Sequence, residues 1–459
     1  MIESEVSRKR YIVLPNQGIV GKVMEAAVFL ERSAYGPTGQ LNAQVDELRS
    51  AATGAVTAAL DTAERPALHP SEYHVLSHRF GDGPALVSMS ENARWALEAA
   101  HPGLRIVDVT RYYLPGLAPR NRSGAVWAAG LTRPAGQSAV LDNGKIFLDD
   151  AKQRIVAQWP LNSSNEGAGV MVGLLDTGVD ATHPALIHAV STERCIVAGA
   201  PLSAKGPVNW GEADNARAGH GTHVAGVICA APGFGGPPGM APKVQVASYR
   251  VFPDNPTGAK PAENYDVIDA IRAAIEDGCH IINLSIEGAG LKEDGVRSAI
   301  SDAWQQGVVC IAAAGNGWGL PVSYPAALPL CIAVTACGRI GAFPPLPSFQ
   351  RLVSNERSKV DPDIFLAAFS NFGPRVQFIA PGHAIVSTFP GGRWWIDSGT
   401  SMASPFVAGL LARVLSDTPE ILGMYGDEKR SAAMTQLLAV RARLLQMPQR
   451  SHEGWGLPA

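Results

Sequence analysis

The sequence predicts an α/β fold: a parallel β-sheet flanked by helices, preceded by a small α+β domain. Three observations predict it. From about residue 165 onward, short apolar runs alternate with segments of helical spacing. The apolar runs are continuous, as in strands covered on both faces. Before that point the pattern is mixed and compact, and a stretch rich in turn residues separates the two regions.

In the first region, residues 11–15 (YIVLP) are strand-like and residues 41–60 carry a helical pattern. Residues 74–80 and 85–89 read as strands, 90–100 as a helix and 104–109 as a further strand. Pro, Gly, Asn and Ser scattered through residues 115–144 (LPGLAPRNRSG and beyond) mark a connector. The chain is thus expected to divide into a domain over residues 1–116, a connector over 117–150 and a larger domain over 151–459. In the larger domain, residues 170–175 (VMVGLL) form a buried strand and 220–231 (HGTHVAGVICAA) a helix. A strand over 244–251 and a helix over 265–277, stopped by Gly278, follow. Then come a short strand at 280–284, a helix at 295–306, strands at 308–314, 331–335 and 376–380, and a helix at 401–415. Strand and helix alternate, which places parallel strands in one sheet with helices on its faces.

Composition excludes several classes of function. The 459 residues suffice for one large domain and a smaller one. A hydrophobic share of 46% with 17% charged residues belongs to a packed chain, not a disordered one. The net charge of −3 and the lack of a basic run point away from nucleic acid and anionic membranes as partners. No stretch reaches the roughly 18–20 apolar residues of a membrane helix. The opening MIESEVSRKR lacks the apolar core of a signal peptide, so the expectation is a cytoplasmic protein, or a secreted one if a leader has been trimmed. Of six cysteines, Cys229, Cys310 and Cys331 lie in apolar runs and no CxxC pair occurs. Buried free thiols are expected in preference to disulfides.

Three motifs carry chemistry. Asp176-Thr177-Gly178-Val179-Asp180 directly follows a buried strand; His220-Gly221-Thr222-His223-Val224-Ala225-Gly226 and Gly399-Thr400-Ser401-Met402-Ala403-Ser404-Pro405 each open a helix. A serine hydroxyl is a weak nucleophile until a base takes its proton, and a neutral imidazole suits that task near neutral pH. A carboxylate behind the ring fixes its tautomer and stabilises the imidazolium. Asp176 stands at the carboxyl end of a parallel strand, where such sheets build sites. Ser401 stands at a helix N-terminus, where free N–H groups favour developing negative charge. A fourth segment, Ala312-Ala313-Ala314-Gly315-Asn316, follows a strand and offers an amide able to donate to an oxyanion.

These four segments resemble the subtilisin (subtilase) family over about residues 165–459, and the order Asp, His, Ser is that of subtilisin. The resemblance implies a serine endopeptidase acting through an acyl-enzyme, with Asp176, His220 and Ser401 as the triad. It implies an oxyanion hole from Asn316 and the Ser401 backbone N–H, supported by Thr400. It assigns Ser285, Ile286, Glu287 and Gly288 to the substrate-binding strand, with Gly315 and Ser323 at the primary specificity pocket. Asn371 in SNFGP and Gly454-Trp455-Gly456-Leu457 look like family landmarks, and Pro325 matches a position where proline is cis. The first domain is similar to inhibitor-type propeptides, through YIVLP, VLSHRFGDGPALVSMS and LRIVDVTRYYLPG. It would assist folding and inhibit, with its tail near residues 113–116 in the cleft, so the expected partners are a peptide or protein substrate and this intramolecular inhibitor.

The chain also departs from the family. Ala185 replaces an aspartate of a common calcium site, and residues 232–238 (PGFGGPP) replace its ligand loop, so that site is expected to be absent. No cofactor or metal is expected, and His223 is expected to be structural. The substrate strand, usually Ser-Leu-Gly-Gly, reads Ser285-Ile286-Glu287-Gly288. Glu287 either faces substrate and favours basic side chains or is a solvated rim charge. Ser323 either makes the pocket floor more polar or bonds a nearby backbone group. Trp394 and Trp395 either line the leaving-group side of the cleft or pack locally. Residues 338–364 form an insertion long for a loop. A catalytically silent scaffold is the alternative from another class, although such chains usually lack a triad member.

Overall fold

The computed structural model describes residues 9–14, 73–78, 85–100, 105–113, 165–197, 219–253, 261–288, 294–343 and 345–458. The helix expected over 41–60 and the connector over 117–150 lie outside them. The chain divides into two compact units, Met1–Val109 with Asn264–Asp269, and Thr110–Glu263 with Ala270–Ala459.

In the first unit, β1 (Lys9–Leu14), β2 (Tyr73–His78), β3 (Ala85–Met89) and β4 (Arg105–Asp108) form an antiparallel sheet in the order β2-β3-β1-β4, with α1 (Glu91–Ala100) between β3 and β4. Its core joins Tyr11, Val13, Val87, Met89, Ala93 and Ile106. Alternation along β1 buries Tyr11 and Val13 on one face, and the Tyr11 hydroxyl reaches Glu91 at 2.8 Å.

The second unit is built on a nine-stranded sheet. Its central strands are β6 (Met171–Asp176), β7 (Val190–Cys195), β8 (Gln245–Arg250), β10 (Ile281–Leu284), β12 (Val309–Ala313) and β13 (Cys331–Arg339). They are parallel, in the order β13-β12-β10-β6-β8-β7. Strand β16 (Val376–Pro381) adds parallel to β13, while β14 (Val353–Arg357) and β15 (Ile364–Ala367) extend the sheet antiparallel on the same side. Strands β6, β10 and β12 are buried almost throughout, which explains their unbroken apolar runs.

Helices α2 (His220–Cys229) and α6 (Thr400–Ser416) pack on each other, and α6 lies against β10, β12, β13 and β16. Helices α3 (Asn264–Glu276) and α4 (Asp294–Gln305) make crossovers, while α5 (Pro347–Gln350) is a single turn in the insertion. That insertion is therefore not a bare loop: β14 and α5 give it its own hydrogen bonds, and Phe343, Phe365 and Ala384 form a small core beside it. Two short arrangements complete the unit: β17 (Ile385–Phe389) with β18 (Arg393–Asp397) as a hairpin, and a three-stranded sheet of β5 (Arg111–Tyr113), β9 (Ala262–Glu263) and β11 (Glu287–Gly288). Residues 111–113, expected within the first domain, are thus a strand of the second unit, held by pairing with β11 and β9.

The six cysteines are free thiols, and all but Cys195 are buried. Burial pushes Cys229, Cys310 and Cys337 up to about 12, so they stay protonated near neutral pH. Ala185 sits in the main apolar core. Among the described residues no three His, Cys, Asp or Glu side chains converge, and no helix is long and apolar enough to cross a membrane.

Candidate active site

Chain order places β8 and β7 on one side of β6 and β10, β12 and β13 on the other, so the strand order reverses between β6 and β10 while the strands stay parallel. The crevice beyond the carboxyl ends of such strands is where open α/β sheets hold ligands. Asp176 ends β6, Ser285 follows β10, and residues 314–316 follow β12, so three of the sequence motifs meet there.

Asp176 is almost wholly buried. Its Oδ1 accepts from the Thr177 N–H at 2.7 Å, and its two oxygens take the Nδ1–H of His220 at 2.8 and 3.0 Å. A carboxylate only accepts, so Nδ1 carries the proton and Nε2 of the neutral ring is left as the basic nitrogen. Helix α2 can approach this closely because residue 221 is glycine: a Cβ there would stand 2.3 Å from the Gly178 carbonyl oxygen and 3.1 Å from Asp176 Oδ1. The Gly221 N–H donates to Thr177 Oγ1 at 3.0 Å, tying the two motifs together.

Burial pushes the pKa of His220 down, but the Asp176 carboxylate, with a smaller push from Asp397, outweighs it and leaves the pKa raised above 6.5. A base must be neutral to accept a proton, so the acid limb of kcat/KM is expected above that value. Replacing Asp397 with asparagine removes one upward push. Its acid limb should therefore move to lower pH, measured as kcat/KM between about pH 5 and pH 9. An unmoved limb would show that Asp397 does not act on the ring.

Ser401 is the second residue of α6 and is buried near its N-terminus. Pro405 lies four residues on and has no N–H to give, so the Ser401 carbonyl lacks its helical donor. The Ser285 hydroxyl replaces it at 2.9 Å. Having donated its one proton, Ser285 Oγ accepts from Asn283 Nδ2 and from the Ser404 hydroxyl, both at 3.0 Å. Ser285 is fully buried, and its hydroxyl holds the first turn of α6.

Thr400 fixes the neighbouring amide. Its N–H and hydroxyl both donate to Asn316 Oδ1, at 2.9 and 2.8 Å, and its hydroxyl accepts from the Gly315 N–H at 3.1 Å. With Oδ1 committed to two donors, the amide orientation is set and Nδ2 turns the other way. A Cβ on Gly399 would stand 3.1 Å from Asn316 Nδ2 and 3.6 Å from the Ser401 nitrogen, so two N–H donors converge on that space. This is the arrangement an oxyanion hole requires.

The remaining sequence candidates fall as follows. Ile286 is fully buried, and Gly288 pairs with Tyr112 of β5. Glu287 is only 5% exposed, so it is not a solvated rim charge: its Oε2 accepts from the Asn316 N–H at 3.3 Å. Ser323 Oγ accepts from Asn371 Nδ2 at 3.0 Å, a side chain and not a backbone group. Asn371 Oδ1 in turn accepts from the Gly317 N–H at 2.6 Å, which holds the loop beyond Asn316. The His223 ring faces the carbonyls of Ile385 and Trp395, and Asp180 binds the Thr182 and Gly391 amides. Trp394 and Trp395 pack locally, the first edge-on to His183 with its Nε1–H on the Phe234 carbonyl, the second stacked on Phe389. The Tyr324–Pro325 bond is cis.

Sequence reasoning missed two contributors, Asp397 and the hydroxyl role of Ser285. The signal for the latter is Pro405, which leaves the Ser401 carbonyl needing a partner. For Asp397 the only signal is its place four residues before Ser401.

An imidazole oriented by a carboxylate, a serine at a helix N-terminus and two convergent N–H donors at the switch point of a parallel sheet define a serine hydrolase. The model of the subtilase family matches residues 167–456. The chain is 31% identical over 277 residues to subtilisin DY of Bacillus licheniformis, covering 59% of this chain and 86% of that one. It is 32% identical over 257 residues to thermitase of Thermoactinomyces vulgaris, covering 55% and 76%. A thermophilic serine proteinase of Bacillus sp. (strain AK1) is 35% identical over 259 residues, covering 56% of this chain and 54% of that one. The chain belongs to the subtilase family, and its activity is that of a serine endopeptidase with an Asp-His-Ser triad.

Proposed function

We propose that Asp176, His220 and Ser401 are that triad and that the enzyme is made as an autoinhibited zymogen. The observation that carries the first part is that the Asp176–His220 Nδ1 pair and two donors converging next to Ser401 are both formed by the motif residues. Ser401 Oγ attacks the peptide carbonyl carbon while its proton passes to His220 Nε2. The carbonyl oxygen gains the negative charge and accepts hydrogen bonds from Asn316 Nδ2 and the Ser401 N–H. Collapse re-forms the carbonyl and breaks the C–N bond, with His220 returning the proton to the leaving amine. Water then repeats the sequence on the acyl-enzyme. Asp176 keeps its charge throughout and stabilises the imidazolium.

The second part is supported by β5. Tyr113 pairs antiparallel with Glu287 and Tyr112 with Gly288, while Arg111 and Tyr112 pair with β9 on the other side. Tyr112 is fully buried with its ring on Gly288, a Cβ on which would stand 2.9 Å from it. A strand of the chain itself thus occupies the place where a substrate would add by β-augmentation.

Fluorophosphonate treatment with peptide mapping tests the first part: the label is expected on Ser401. Intact mass of freshly purified wild type beside Ser401→Ala tests the second. A shortened wild type with an intact variant is expected. Full-length masses in both, stable over time, would sink self-processing and leave the N-terminal unit as a lasting interaction module.

A further inference from the structure

Asn316 stands between two glycines, and one side chain from a distant part of the chain lies over both. A Cβ on Gly315 would stand 2.5 Å from Asn371 Nδ2, and a Cβ on Gly317 would stand 2.4 Å from Asn371 Oδ1. Asn371 is 1% exposed. Its Oδ1 accepts from the Gly317 N–H at 2.6 Å, and its own N–H donates to the Gly315 carbonyl at 2.9 Å. Its Nδ2 donates to Ser323 Oγ at 3.0 Å, and the Ser323 N–H donates to the Ala314 carbonyl at 2.9 Å. The residues before Asn371 take the next two amides: Trp318 donates to the Phe369 carbonyl at 2.9 Å and Gly319 to the Ser370 carbonyl at 3.2 Å. Asn371 is thus bonded to the backbone on both sides of Asn316.

Thr400 grips the same turn from the nucleophile's helix, through Asn316 Oδ1 and the Gly315 N–H. Asn371 grips it from the other side, through the Gly315 carbonyl and the Gly317 N–H. Thr400 therefore sets how the Asn316 amide is turned, and Asn371 sets where the backbone carrying it stands. We infer that Asn371 is a positioning residue for the oxyanion. It fixes the 315–317 turn so that Asn316 Nδ2 keeps its aim as charge develops on the substrate oxygen, and it acts through Asn316 alone. The inference rests on the reading of Asn316 above as an oxyanion donor.

A donor aimed in advance needs no reorganisation at the moment of reaction. A misplacement of about 1 Å costs on the order of 10²-fold in rate. The oxyanion forms only after substrate has bound, so loss of aim lowers kcat and leaves KM in place. The two glycines follow from the same arrangement, because a side chain at either position would push the Asn371 amide out of its bonds.

A double-mutant cycle on the full-length protein tests the inference, with kcat and KM measured on one peptide amide and rates referred to sites titrated by fluorophosphonate. Asn316→Ala is expected to lose roughly 10²–10³-fold in kcat, a size measured for the equivalent donor in a subtilisin. Asn371→Ala is expected to lose roughly 10- to 10²-fold in kcat, with KM within about threefold of wild type. In the Asn316→Ala background the same change is expected to cost less than about threefold, because the group it aims is gone. An equal loss in both backgrounds would overturn the inference, as would an unchanged kcat or an effect on KM alone. Where Asn371→Ala does not fold, Ser323→Ala carries the same cycle, since it removes the acceptor of Asn371 Nδ2 and leaves Asn371 in place. Its loss is expected to be smaller and again to vanish beside Asn316→Ala; no loss, or one that persists there, would overturn the inference. Asn316→Ala separates the two readings. If it turns over as fast as wild type, the oxyanion reading falls and this inference with it; if it is slow while the Asn371→Ala loss persists beside it, only this inference falls.

Discussion

Replacement of Ser401 by alanine is expected to lower peptide hydrolysis by roughly 10⁶-fold, a size measured for the equivalent change in a subtilisin. The residue's ties to the fold run through its backbone: its carbonyl accepts from Ser285, and its N–H lies in the first turn of α6. Alanine keeps both and favours the helix, so stability should change by no more than about 1 kcal/mol. The readouts are turnover of a peptide amide, with active-site titration to exclude residual wild type, and denaturant unfolding. Turnover within about tenfold of wild type would place the nucleophile elsewhere, because no other group can replace a lost hydroxyl at the convergence of two oxyanion donors.

Replacement of Asp176 by asparagine is expected to cost roughly 10⁴-fold in kcat with the fold retained. An asparagine side chain can still accept from the Thr177 N–H through Oδ1, but it then offers an N–H to His220 Nδ1. The ring answers by moving its own proton to Nε2, where the serine proton has to go. The charge effect adds to this. Asp176 is the largest upward push on the pKa of His220, and without it burial and the weaker Asp397 remain. The residual activity should therefore show an acid limb at lower pH than wild type. A small loss with an unshifted limb would mean that the carboxylate only fills space.

The parts of this molecule readable from sequence were those where burial and chemistry coincide. Strands β6, β10 and β12 are covered on both faces, so their residues are apolar without interruption. The segments around Asp176, His220 and Ser401, the proposed triad, were readable because each of these residues sits at one end of an element. Strand β7 was missed because it is half-buried at the sheet edge and spells Val-Ser-Thr-Glu-Arg-Cys, with no run and no clean alternation. The β17–β18 hairpin was also missed, although its Gly391-Gly392 turn, with both residues at positive φ, is a legible signal. Glu287 shows the limit of pattern reading. Its identity raised the right question, but whether it met water or Asn316 depended on β10 and β12 being neighbours. Ser285 marks the same limit from the other side, since a motif position expected to touch substrate spends its hydroxyl on the Ser401 carbonyl in α6.

The pairing of β5 with β11 and β9 also sets a concentration scale. A strand covalently joined to the sheet it covers competes with free peptides at an effective concentration of order millimolar, whatever the protein concentration. The same segment released as a free peptide competes only at its bulk concentration, lower by orders of magnitude in any dilute solution. If β5 inhibits as proposed, cutting the backbone beyond Tyr113 is expected to relieve that inhibition without altering one contact of the strand. Its restraint depends on dilution: added back as a free peptide, it should inhibit only near its own dissociation constant.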